Sequence, residues 1–159
     1  MKFFTKKSLG QNFLVDNKVL NKIIETGDVE KEDIVIEVGP GNGALTEKIF
    51  AKKPKKIIVV EKDDRLNIVL KKKFTNNIKI INQDMMNFSY DDYQENKIII
   101  FGNLPYNIST QILAKWIKMK NIDNFCKRLV LMFQKEVADR IIAKTNTKDF
   151  GRLSILSNW

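Results

Sequence analysis

Asn103-Leu104-Pro105-Tyr106 places an amide, a fixed backbone turn and an aromatic ring within four residues. Together they suit a flat nitrogen heterocycle. The Asn103 side-chain oxygen accepts a hydrogen bond from an exocyclic amine. Pro105 restricts the residue before it, which fixes the direction of the Leu104 carbonyl. Tyr106 offers a stacking face, worth about 1–3 kcal/mol per base. The same residues would also serve as an ordinary strand end and proline turn, so the reading depends on their surroundings.

A second constellation lies upstream. Glu37-Val38-Gly39-Pro40-Gly41-Asn42-Gly43 joins an apolar run to a helical pattern. Glycines there permit positive φ and close approach of a ligand to the backbone. The spacing is G-x-G-x-G, not the G-x-G-x-x-G of nicotinamide-binding folds, and no Lys-Ser/Thr pair follows as in a P-loop. It suits a cofactor without a pyrophosphate. Glu61 ends the next apolar run, where a carboxylate accepts from both hydroxyls of a ribose. Asp84 follows the third run, where a carboxylate accepts from an adenine amine. Either acid alone would be an ordinary solvated strand end. Their regular placement makes a joint site, and ribose plus adenine without phosphate points to S-adenosylmethionine.

Alternating βα units must hold these residues. Strands are predicted at 33–38, 57–60, 78–81, 98–101 and 129–133. Helices are predicted at about 44–52, 63–74, 109–119 (capped by Ser109) and 135–143. An earlier helix carries Val19, Leu20, Ile23 and Ile24 on one face and ends at Gly27. Continuous apolar strands separated by helices imply a parallel, doubly wound α/β sheet of the Rossmann-like kind. The expected domain is one unit, 1–159, binding the cofactor at the strands' carboxyl ends.

The chain has 159 residues, with 43% hydrophobic content and a net charge of +9. The charge suggests a polyanionic partner, most simply nucleic acid. Lysines cluster at Lys52-Lys53-Pro54-Lys55-Lys56, at Lys71-Lys72-Lys73 and in the amino-terminal arm, although Lys, Asn and Ile are all abundant, as in AT-rich genomes. No apolar run reaches the roughly 18 residues of a membrane span. The basic start at Met1–Lys7 lacks the apolar core of a secretory signal. A lone cysteine, Cys126, reads as a buried free thiol in a reducing compartment, so a cytoplasmic location is expected. With no histidine and no cysteine cluster, zinc sites and histidine-based triads are excluded, and no metal site is expected.

At this point the sequence resembles the bacterial ribosomal RNA adenine dimethyltransferases, which modify adjacent adenosines near the 3′ end of 16S rRNA. The matching blocks are Ser8–Leu14, Glu37–Gly43, Glu61-Lys62-Asp63, Gln83-Asp84, Asn103–Thr110, Gln134–Ala138 and Gly151–Ser154. The resemblance implies a class I S-adenosylmethionine-dependent methyltransferase fold. It implies that Gln11, Asn12 and Leu14 close the cofactor site from the amino-terminal arm. Gly39 and Gly41 would lie against the methionine part, Glu61 on the ribose and Asp84 on the adenine. Asn103 would touch both cofactor and target, and Leu104, Pro105 and Tyr106 would complete the catalytic loop.

The implied reaction is methyl transfer to the exocyclic amine of adenine. Acceptance of the amine hydrogens by Asn103 and the Leu104 carbonyl would favour its pyramidal, nucleophilic form. No strong base is needed, because the methylated ammonium is itself acidic. Tyr106 would hold the base after it leaves its stack, returning about what flipping costs, a few kcal/mol.

Family members continue with two more strands, a Phe-bearing loop and a small helical domain. This sequence stops at Trp159 within an apolar segment (Leu153, Ile155, Leu156), and a truncated chain is expected. The expected partner is the small ribosomal subunit precursor, with a monomeric full-length protein and self-association of the shortened one. Three alternatives fit the residues less well. The erythromycin-resistance branch methylates large-subunit rRNA and shares most blocks, but Gln134-Lys135-Glu136-Val137 favours the small-subunit branch. An intact glycine loop and NLPY argue against a non-catalytic RNA-binding or ribosome-assembly factor. A nicotinamide-dependent dehydrogenase fails on glycine spacing.

Overall fold

The computed structural model describes residues 13–75, 77–93 and 97–158. Five strands form one sheet: β1 (Ile34–Val38), β2 (Lys56–Glu61), β3 (Lys79–Asn82), β4 (Ile98–Asn103) and β5 (Cys126–Met132). Their order is β3-β2-β1-β4-β5, and every neighbouring pair is parallel. The winding reverses at β1, which lies between β2 and β4. Open α/β sheets bind ligands at such a switch point, outside the strands' carboxyl ends. The predicted doubly wound parallel sheet is therefore the one observed, with strand limits moved by one to three residues.

The helices are α1 (Asn17–Gly27), α2 (Ala44–Ala51), α3 (Asp64–Phe74), α4 (Ser109–Ile117), α5 (Ile122–Phe125), α6 (Lys135–Ile141) and α7 (Arg152–Asn158). β1 and β4 are buried on both sides, as their unbroken apolar runs require. One core layer joins Leu20, Ile23 and Ile24 of α1 to Leu45 and Ile49 of α2 and to Leu70 and Phe74 of α3. The opposite layer joins Met85, Phe88, Tyr90 and Tyr93 of the β3–β4 connection to Ile112 and Trp116 of α4 and Phe125 of α5. Trp116 is fully buried, and its indole N–H donates to the Tyr90 hydroxyl at 2.7 Å, so the polar atom is satisfied inside the core.

Local signals explain where the helices begin. The Asp16 carboxylate caps α1 by accepting from Lys18 and Val19 N–H, and Asp63 caps α3 by accepting from Arg65 N–H. Three sequence readings need correction. Ser109 is not a cap but the first residue of α4. Its hydroxyl donates instead to the Tyr106 carbonyl at 3.4 Å, tying the helix to the loop before it. Val19 does not share the buried face of α1 and is 39% exposed. Cys126 is half-buried at the start of β5, and burial still raises its thiol to about 11.

Candidate active site

The end of β1 turns through Gly39, Gly41 and Gly43, all at positive φ, before α2 begins. At Gly41 the need for glycine is also steric: a Cβ there would lie 2.9 Å from the Phe13 ring. Gly39 donates its N–H to the Val60 carbonyl at 3.0 Å, which draws the loop over the end of β2. An added Cβ on Gly39 would lie 3.6 Å from the Asn103 carbonyl, so the glycine loop and the end of β4 approach closely.

Glu61 organises the other side. One carboxylate oxygen accepts from Asp63 N–H at 2.9 Å and the other from Gly41 N–H at 3.4 Å. Burial raises its carboxyl above the ordinary carboxylate range, against these backbone hydrogen bonds. Each oxygen keeps a second lone pair for a ribose hydroxyl. Asp84 accepts from Met86 N–H at 2.9 Å and pairs with Lys62 at 2.7 Å, and these two contacts hold its carboxyl below the usual range. The turn after it is further anchored by Lys115, whose ammonium donates to the Met86 and Phe88 carbonyls at 2.7 and 3.2 Å.

These elements enclose one cleft. Phe13, Leu14, Gly39, Gly41, Glu61, Asp84, Asn103, Leu104 and Pro105 all line it, as do Glu37 and Lys62. Of the residues expected from the sequence, Tyr106 does not line it but follows directly on Pro105, and is 45% exposed. Gln11 and Asn12 lie outside the described residues. Phe13 and Leu14 both line the cleft, and Leu14 also packs against the core layer that contains α1 and α2.

Glu37 is the site residue that motif reading did not assign. It is fully buried at the cleft, with its carboxylate accepting from the Thr46 hydroxyl at 2.7 Å. Burial pushes its carboxyl up to about 7. The available signal was an acid interrupting the apolar run Ile34–Val38. With Glu61 and Asp84 it gives the cleft lining three carboxyl groups against the one ammonium of Lys62. Such a lining favours a ligand carrying positive charge and disfavours a pyrophosphate. A nucleoside with a cationic amino-acid tail fits the acceptors present.

The family model for ribosomal RNA adenine dimethylase matches residues 2–159. This chain belongs to that family. The chain is 56% identical to the ribosomal RNA small subunit methyltransferase A of Pelagibacter ubique over 154 residues, which cover 97% of this chain and 58% of that protein. Among solved structures it resembles a dimethyladenosine transferase from Plasmodium falciparum, with 31% identity, a TM-score of 0.79, and 91% of this chain and 51% of that one covered. It also resembles the 23S rRNA methyltransferase ErmE, with 27% identity, a TM-score of 0.74, and 92% and 55% covered. The dimethylase-family chain thus spans little more than half the length of the relatives it matches.

Proposed function

We propose that this chain supplies the cofactor-binding and base-handling part of an rRNA adenine N6-dimethyltransferase. Its substrate would be a pair of adjacent adenosines near the 3′ end of 16S rRNA, modified during small-subunit biogenesis in the cytoplasm. One observation carries the reading. A cleft lined by three carboxyl groups, at the switch point of a parallel sheet, sits against the Asn103–Pro105 loop. The identity to small subunit methyltransferase A supports the small-subunit target over the large-subunit one.

Bound S-adenosylmethionine supplies an electrophilic methyl group. Glu61 receives the ribose hydroxyls, and Asp84, fixed by Met86 N–H and Lys62, receives the adenine amine of the cofactor. A cationic tail beside Glu37 would favour the ionised form of its carboxyl, and Phe13 and Leu14 would shelter it from water. On the target side, the Asn103 oxygen and the Leu104 carbonyl accept the two hydrogens of the exocyclic amine and aim its lone pair. Tyr106, exposed beside the cleft, stacks on the flipped base.

Equilibrium binding of S-adenosylmethionine against NAD tests the cofactor half; tighter NAD binding would overturn it. Transfer of labelled methyl to undermethylated small ribosomal particles, with large-subunit rRNA in parallel, tests the target in the full-length protein. There, Asn103→Ala should lose turnover far more than RNA affinity, because affinity comes mainly from phosphate contacts. A proportional fall in both would remove Asn103 from its role.

A further inference from the structure

The lysine cluster of the α2–β2 turn has no part in the cleft. Lys56 opens β2 and Glu61 closes it, so the cluster lies about 16 Å away along the strand, at the opposite end of the sheet. Lys52, Lys53, Lys55 and Lys56 are all exposed, and among the described residues none of them forms an ion pair. Glu47, the carboxylate on the same helix, is already paired with Lys73 at 3.1 Å. The negative end of the α2 dipole accounts for a lysine at position 52, but the other three lie beyond the helix. Lys53 adopts a left-handed φ of 55°, which side-chain-bearing residues avoid, and Pro54 follows it.

The turn is not only basic. Phe50, Lys53, Pro54, Lys55, Lys56, Ile57 and Asn77 line a shallow groove. Phe50 is 42% exposed, the kind of accessible ring on which a base stacks. Asn77, one of whose amide hydrogens goes to the Thr75 hydroxyl at 3.3 Å, keeps a donor and an acceptor for a base edge. Unpaired lysines around an exposed ring and an amide are the elements of a single-strand nucleic-acid surface.

We propose that this groove is a second RNA-binding surface, remote from the cleft, that takes a single-stranded stretch of the substrate RNA. Lys53, Lys55 and Lys56 contact its phosphates and Phe50 stacks on one base. The proposal rests on the rRNA substrate argued above. It means that the RNA segment held here is not the one presented to Asn103, so the substrate must be long or folded enough to reach both ends of the sheet.

The test uses the 159-residue chain and a fluorescent single-stranded small-subunit rRNA fragment, titrated across salt concentrations. For single strands the slope of log affinity against log salt changes by about 0.7 per phosphate contact. The triple variant K53A/K55A/K56A should flatten the slope by about 2 and weaken binding at least tenfold at low salt. A charge-matched control, K31A/K118A/K120A, should change both much less. Phe50→Leu keeps an apolar side chain but removes the ring face. It should weaken binding three- to tenfold with the slope unchanged. Equal losses in the two triple variants, or a neutral Phe50→Leu, would overturn the proposal. So would loss of binding to phosphatidylglycerol-containing vesicles with RNA binding intact, which would make the groove a lipid surface. S-adenosylmethionine binding is measured on every variant. Its absence in the unsubstituted chain overturns the functional reading, whereas the slope decides the surface.

Discussion

Glu61 has two duties, one to the backbone and one to the ligand. Its oxygens hold the Gly41 and Asp63 N–H groups, and their remaining lone pairs face the cleft. Charge-assisted hydrogen bonds to a ligand contribute about 1.5–3 kcal/mol each. Glu61→Ala should therefore weaken S-adenosylmethionine binding at least tenfold. The loss leaves the Gly41 and Asp63 N–H groups without this acceptor, at about 1–3 kcal/mol, but also removes a buried carboxylate, so the fold should stay intact. Calorimetry with unchanged affinity would remove Glu61 from the site. Glu37 makes a different, pH-dependent case. Its folded carboxyl titrates at about 7 against 4.5 ordinarily. A raised value means that the folded state holds the proton more tightly. The stabilisation is complete below about pH 4.5 and is lost as pH rises to about 7, about 3 kcal/mol in all. Urea unfolding at pH 5 and pH 8 should show this loss in the native chain and much less of it in Glu37→Gln. Equal pH dependence in both would mean that Glu37 is already ionised when folded. That Asn103, Glu61 and Asp84 line one cleft was legible because each follows an apolar run that becomes a strand. Glu37 was not, because an acid inside a strand is recognisable only once its burial is known.

Among the elements, the core strands and the three long βα helices followed from hydrophobic periodicity to within a few residues. The misses share a cause. β5 begins at Cys126 rather than Leu129 because charged residues disguise its first turn of sheet. There Lys127 pairs with Glu30 and Asp33, and Arg128 donates to the Thr26 and Gly27 carbonyls at the end of α1. The sequence pattern shows charge as solvent exposure, whereas tertiary partners make it strand. α5 is too short, at 4 residues, for periodicity to stand out, and α7 read only as an apolar segment. The turn after β3 shows how one helix positions part of the site. Lys115 on α4 ties down its carbonyls, while Gln83 donates to the Asn87 carbonyl at 2.9 Å. Met85 and Met86 of that turn line the cleft. Lys115→Met keeps the aliphatic stem and removes the donors. It should raise the dissociation constant for S-adenosylmethionine three- to tenfold while lowering stability by only about 1 kcal/mol. An unchanged constant would show that the turn holds without the lysine.

At the scale of the whole molecule, the two edges of the sheet are unequal. β3 is a four-residue edge that opens on the exposed Lys79, a short and charged border that discourages pairing. β5 is seven residues long, and among the described residues it pairs only with β4. Its charges sit at its start and are engaged by α1 and by the α1–β1 turn, which leaves Leu129–Met132 as an uncharged stretch. Only Val130 in β5 is buried, against five of six residues in β4, so the outer strand is thinly covered on both faces. An uncharged, half-covered edge is a template for another copy of the chain. The 159-residue chain is therefore expected to self-associate in sedimentation velocity, with an average mass that rises with protein concentration. Leu131→Lys puts a charge on that edge next to the Gly102 backbone. Because the substitution also costs packing, its outcome is read against Ile155→Lys, an exposed residue of α7. The edge variant should suppress association and the α7 variant should not. Suppression by Ile155→Lys alone would shift the contact to α7, and a monodisperse monomer at all concentrations would show that β5 is adequately protected as it stands.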